Sequence, residues 1–190
     1  MRARRLVALL PLVLTACGYN TIQTYDERAN AAKQQIEVQL QRRADLIPNL
    51  VEVVRGQAKQ ELEVFTQVAK ARAGLVDAVQ KGDPRQMAEA NEQVTTAMKG
   101  LMISVEAYPQ IKSDQAFLRL QDELAGTEKR IAVSRTDLNG AVESYNTYIR
   151  KFPQVMTAKV IGAKPKEYFE VANAAARGEA IDWRALLEPY

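Results

Sequence analysis

The chain has 190 residues and a mass of 21.2 kDa, with 47% hydrophobic, 26% charged and 6% aromatic residues, enough to bury the core of one ordinary domain. It contains no histidine and one cysteine. Those counts exclude the commonest general base and metal ligand, an internal disulfide, a thiolate zinc site and an iron–sulfur cluster.

Residues 1–16 have the layout of a secretory signal peptide: Arg2, Arg4 and Arg5, an apolar run from Leu6 to Leu14, then the small residues Thr15 and Ala16. That run is far shorter than the roughly 20 apolar residues that span a bilayer as a helix. Leu14-Thr15-Ala16-Cys17 resembles the lipobox of bacterial lipoproteins, where the cysteine thiol takes a diacylglycerol in thioether linkage and becomes the new N-terminus. Cys17 is the lipidation site on this reading, and residues 17–21 form the anchor and a short tether.

Removing the leader changes the charge reading. The 26 basic residues become 23 without Arg2, Arg4 and Arg5, equal to the 23 acidic ones. Counted over 17–80, 81–112, 113–151 and 152–190, basic and acidic residues balance in each segment. By that count no stretch has the basic excess of a nucleic-acid footprint or a polybasic membrane patch, and attachment rests on acyl chains.

From Ile22 to Phe152 apolar residues recur at spacings of three and four, the helical period. The first stripe is Ile22, Tyr25, Ala29, Ala32, Ile36 and Leu40; a second runs from Ile47 through Leu50, Val54, Phe65, Val68 and Leu75 to Val79. Between them, Asp45 is placed to cap a new helix with Pro48 in its first turn; one continuous kinked helix is the rival reading. Lys81-Gly82 followed by Asp83-Pro84-Arg85-Gln86 ends one helix and opens the next with a capping box. That third helix turns Met87, Ala90, Val94, Leu101 and Val105 inward and stops at Ala107-Tyr108-Pro109-Gln110. Ser113 is the expected cap of a fourth helix, whose stripe runs from Phe117 through Leu124, Ile131, Leu138 and Tyr145 to Phe152. Long helices with short connections predict an all-α antiparallel long-helix bundle of four helices over 22–152. Residues 153–190 form a C-terminal cap and tail, with a short helix closing at Gly162, an alanine-rich stretch and Ile181-Asp182-Trp183.

The continuous run from Ile36 to Glu52, IEVQLQRRADLIPNLVE, resembles the signature of the LemA family of bacterial envelope proteins. The likeness begins at Tyr19-Asn20 and continues through Tyr108-Pro109, Phe117, Leu120, Leu124, Thr127-Glu128, Arg130-Ile131-Ala132, Tyr145-Asn146, Phe152-Pro153, Gly162 and Tyr168-Phe169. The resemblance implies a helical bundle outside the cytoplasm and no established biochemical activity. Members of the family usually carry an N-terminal transmembrane helix; here a signal and lipid site stand in its place. Gly18 after the lipidated position, where aspartate retains many lipoproteins at the inner membrane, favours an outer-membrane location facing the periplasm. Leu138, where the family often has tyrosine, removes support for a role of Asn139.

Catalytic chemistry finds little to use. The nine glycines are isolated, so no phosphate-cradling loop exists. Without histidine, only a serine-lysine arrangement such as Lys112-Ser113 could activate a serine, and Ser113 is better employed as a cap. The carboxylate pairs Asp122-Glu123 and Glu61 with Glu63 do not share a helix face. No metal site and no cofactor are expected. One polar cluster remains, Arg42, Arg43, Asp45 and Asn49: either an interaction site for a phosphate, a carboxylate or a partner's acidic group, or a turn-fixing set in which an arginine pairs with the capping Asp45. The expected function is a non-enzymatic lipoprotein held to the membrane through Cys17, docking an envelope protein or forming a homo-oligomeric scaffold, with no nucleic acid. The alternative is a carrier of a lipid or other apolar ligand between helices, suggested by Thr127 and Ser134 within an apolar stripe. A hydrolase without histidine is third.

Overall fold

The computed structural model describes the backbone of residues 2–58 and 62–171 and side chains from Gly18 onward. The thiol of Cys17, the leader side chains, the alanine-rich stretch and the Ile181-Asp182-Trp183 tail lie outside the described residues. Among the described residues the chain forms six helices and no strand. They are α1 (Arg2–Gln57), α2 (Leu62–Lys81), α3 (Pro84–Val105), α4 (Pro109–Lys112), α5 (Gln115–Arg150) and α6 (Gln154–Val160). None of these helices is long and apolar enough to cross a membrane. The all-α class read from the apolar spacing is the one observed.

The structure settles one open reading and corrects another. Of the two readings of residues 42–48, the continuous helix is the one observed: every residue from 42 to 57 is helical and no helix starts at Asp45, while the break comes after Gln57, so the second apolar stripe is divided between α1 and α2. Ser113 does not cap α5 either. Its hydroxyl donates back to the Gln110 carbonyl at 3.1 Å, while the Asp114 carboxylate accepts the backbone N–H groups of Ala116 at 2.7 Å and Phe117 at 3.2 Å. A charged acceptor one residue later is the better partner for the unpaired N–H groups of a helix start. Residues 17–21, read as a tether, lie within α1.

The start of α3 follows the sequence reading closely. The Asp83 carboxylate accepts from the N–H groups of Arg85 at 2.9 Å and Gln86 at 3.2 Å, and Gln86 Nε2 reaches back to it at 3.2 Å. Gly82, at φ 67°, closes α2 in the left-handed region that a side chain disfavours. The two-residue connection makes α2 and α3 antiparallel neighbours.

The described residues fall into two compact units. The first comprises residues 1–34 and 136–168, and its core is Ile22, Tyr145, Ile149 and Ala158 with Tyr25, Tyr148 and Ala163 against it. The second comprises the described residues within 35–135 and 169–171. Its buried residues come from α1 (Leu40, Ile47, Leu50), α2 (Val68, Leu75), α3 (Met87, Met98, Leu101), α4 (Ile111) and α5 (Phe117, Ile131). At about 25 cal/mol per Å², each such side chain contributes roughly 1.5–3 kcal/mol on leaving water.

Candidate functional site

Residues 42–49 of α1 separate by helical angle. Arg42, Asp45 and Asn49, spaced by three and four, share an exposed face, where Asp45 accepts a hydrogen bond from Gln41 Nε2 at 2.9 Å. Arg43 is turned about 100° away from Arg42, and at 1% exposure it is the largest of the fully buried side chains. The structure therefore does not bring Arg42, Arg43, Asp45 and Asn49 together. A turn-fixing role has no turn to act on, because α1 is continuous there and Arg43 faces helices that are distant in sequence.

The Arg43 guanidinium is held from two helices. Nη1 donates to Asn91 Oδ1 at 2.5 Å and Nη2 to Thr95 Oγ1 at 3.0 Å, both on α3, one turn apart. From α5, Glu128 Oε2 stands 2.7 Å from Nη1. Among the described residues that oxygen has no hydrogen bond of good geometry, so the contact holds by charge. Burial pushes the Arg43 pKa down, and the carboxylates of Glu128 and then Glu92 push it back up. Arginine stays charged under these conditions. The cation thus carries a desolvation cost that its partners offset. Beside it, Arg130 Nε donates to the buried Gln39 at 3.0 Å, a second polar tie between α5 and α1.

One turn further along α1, Pro48 has no N–H, which leaves the Ala44 carbonyl without its partner in the helix. Arg72 of α2 supplies the missing donor, its Nε reaching Ala44 O at 2.8 Å. The helix continues through a proline because a neighbouring helix hydrogen-bonds to the freed carbonyl.

The first unit has its own polar centre. Asn146, 4% exposed on α5, accepts the backbone N–H of Lys166 at 2.8 Å and donates to the Lys166 carbonyl at 2.9 Å. The Lys166 ammonium then reaches α1, donating to Asn30 Oδ1 at 2.8 Å and pairing with Asp26 Oδ1 at 3.0 Å, and it sits 5.3 Å from the centre of the Tyr145 ring. Asn30 Nδ2 also donates to Asp26 Oδ2 at 2.9 Å. Gly162, at φ 70°, turns the chain after α6 so that this segment can return to α5.

Sequence reasoning missed Asn91 and Thr95, Glu128 as a partner of Arg43, and the set Asp26, Asn30 and Lys166. A signal existed for the first two: they stand at a spacing of four on the inward side of α3. The hydroxyl of Thr127, one hint of a ligand channel, donates to the Leu124 carbonyl at 2.7 Å and is satisfied within its own helix. Among the described residues no group of three or more potential ligands could hold a metal ion.

Comparison with known proteins gives a consistent result. A family model described as the LemA family matches residues 32–182. Magnetosome protein MamQ 2 and Magnetosome protein MamQ 1 of Paramagnetospirillum magneticum are each 31% identical over 175 residues, covering 80% of this chain and 64% of theirs. Magnetosome protein MamQ of Magnetospirillum gryphiswaldense is 29% identical over 187 residues, covering 86% of this chain and 68% of its own. The match thus spans less than two thirds of the length of the two Paramagnetospirillum relatives.

Proposed function

This chain belongs to the LemA family, and from that premise we propose that it is a non-enzymatic, membrane-associated protein that presents helical surface to another envelope protein. The observation that carries this reading is the use made of its buried polar groups. Arg43, Thr95, Gln39 and Asn146 are all engaged with other parts of the same fold, as struts between elements. The residues left to meet a partner are those on exposed faces, such as Arg42, Asp45 and Asn49 on α1. The relatives are named as magnetosome proteins, which supports a role in an assembled structure over a metabolic step. Attachment is through a lipidated Cys17, and Gly18 after it favours the periplasmic face of the outer membrane.

Two experiments test the reading. Cys17→Ser is expected to move the protein from the membrane to the soluble fraction; retention of the variant at the membrane would exclude Cys17 as the sole anchor. Crosslinking of the native protein in cells, followed by detergent extraction and mass spectrometry, is expected to return a reproducible envelope protein. Self-crosslinks alone would replace docking with a homo-oligomeric scaffold, and a stoichiometric apolar molecule in the purified protein would replace both with a carrier.

A further inference from the structure

Residues 150–166 contain five basic side chains, Arg150, Lys151, Lys159, Lys164 and Lys166, and no acidic one. The balance over 152–190 concealed this, because every acidic residue of that stretch lies at Glu167 or beyond. The basic excess that segment totals hide is therefore present, and α6 lies at its centre.

The same segment has an inverted surface. On its inner side α6 buries small residues, Thr157 and Ala158, with Ala158 in the core of the first unit. On its outer side it exposes larger apolar ones, Met156 at 57% and Val160 at 80%, one helical turn apart, and Phe152, just before the helix, is 83% exposed. Tyr19 and Ile161, both exposed, line an adjoining hollow. Gly18 is buried against α6, where a Cβ on it would stand 3.4 Å from Gln154 Cγ. Whatever holds residue 17 at a membrane therefore brings α6 to the same surface.

We propose that α6 and its flanks lie on an anionic bilayer, with Phe152, Met156 and Val160 entering the interfacial layer and Arg150, Lys151, Lys159 and Lys164 meeting lipid phosphates. The proposal rests on the membrane association inferred above and adds which face touches the lipid. At seven residues α6 is far too short to span a membrane. An apolar face bordered by cations is the pattern of segments that lie in the plane of the interface, their apolar side about 5–10 Å into the headgroup boundary. A second copy of this chain fits the face poorly, since two such surfaces would bring like charges together around the apolar contact.

The test uses the full chain reconstituted into vesicles of phosphatidylglycerol and phosphatidylethanolamine doped with lipid brominated near the headgroup. Trp183→Phe removes the native tryptophan, and single tryptophans are introduced as Met156→Trp, Val160→Trp or Ala31→Trp. Ala31 is exposed on α1 and lies about 20 Å along the helix from Gly18. Met156→Trp and Val160→Trp are expected to lose most of their emission to bromine and shift to the blue, while Ala31→Trp keeps its emission. Far-UV circular dichroism confirms folding of each variant, and either α6 position suffices if the other fails to fold. Co-flotation with vesicles without quenching at the α6 positions would overturn this proposal alone. Failure to co-float would overturn it together with membrane association. Equal quenching in vesicles with phosphatidylcholine replacing phosphatidylglycerol would overturn the charged part of the contact.

Discussion

The two units solve one problem, how to place polar groups in an apolar interior, by different means. In the second unit a buried cation on α1 joins side chains on two other helices, and its partners are fixed by helix phase: Asn91 and Thr95 one turn apart on α3, Glu128 on α5. In the first unit a neutral amide grips the backbone of a segment that is not helical, and a lysine from that segment reaches the opposite helix. Helices satisfy their own backbone, so only side chains are left to tie them together. An irregular segment does not, and Asn146 completes its hydrogen bonds. The first arrangement sets how helices align; the second decides whether the chain after α6 has a defined path.

This contrast orders the expected effects of substitution. The largest falls on Arg43. Arg43→Ala leaves Glu128 beside an empty space and removes partners from Asn91 and Thr95, a loss of about 3–5 kcal/mol on the scale of broken buried ion pairs. Arg43→Met combined with Glu128→Leu is expected to recover much of it, because replacing both partners avoids a lone buried charge. Urea denaturation measures both, and a loss below about 1 kcal/mol for Arg43→Ala, within the range of surface pairs, would end the claim that the two centres differ in kind.

The tie at Ala44 comes next. Arg72→Ala is expected to cost about 1.5–3 kcal/mol, the range for a hydrogen bond from a charged donor. In a Pro48→Ala background the same change should cost clearly less, because residue 48 then supplies its own N–H to Ala44. A double-mutant cycle on thermal unfolding gives the difference. Additivity would mean that the Arg72 contact does not depend on the proline.

Asn146→Ala should cost about 1–3 kcal/mol through two unpaired backbone groups at Lys166. Hydrogen exchange should show the Lys166 amide opening faster while amides around Arg43 keep their protection. Equal acceleration at both would mean that the two centres are not separable. The smallest effect concerns pH. Burial, then the Asp26 carboxylate, push the Tyr145 hydroxyl pKa up. An unfolded tyrosine ionises near pH 10. The contribution of Tyr145 is therefore complete below that pH and is lost as the pH rises through the higher native value. Tyr145→Phe should flatten the alkaline arm of the stability profile, and an unchanged slope would remove Tyr145 from the account.

How far these features can be read from sequence depends on where each partner lies. The helical stripes and the Asp83-Pro84-Gln86 start of α3 are legible because their determinants are within four residues of one another. Asp45-Leu46-Ile47-Pro48 reads locally as a helix start, and only the arginine 24 positions after Pro48, on another helix, makes it a helix interior. Arg43 is indistinguishable from Arg42 in sequence; their fates divide because only Arg43 faces α3 and α5. Asn146 interrupts an apolar stripe for a backbone 20 residues ahead, which no local pattern announces. The basic run at 150–166 was legible all along, and averaging over a longer segment concealed it.

The bond between Arg72 and the Ala44 carbonyl also constrains the order in which this sequence can change. With Pro48 present, losing Arg72 strands a carbonyl; with Pro48 replaced, Arg72 becomes an ordinary surface-reaching side chain free to drift. The arginine can therefore be dispensed with only after the proline has gone, so two positions on separate helices share one history. A residue usually regarded as a helix breaker here selects the neighbour its helix must keep.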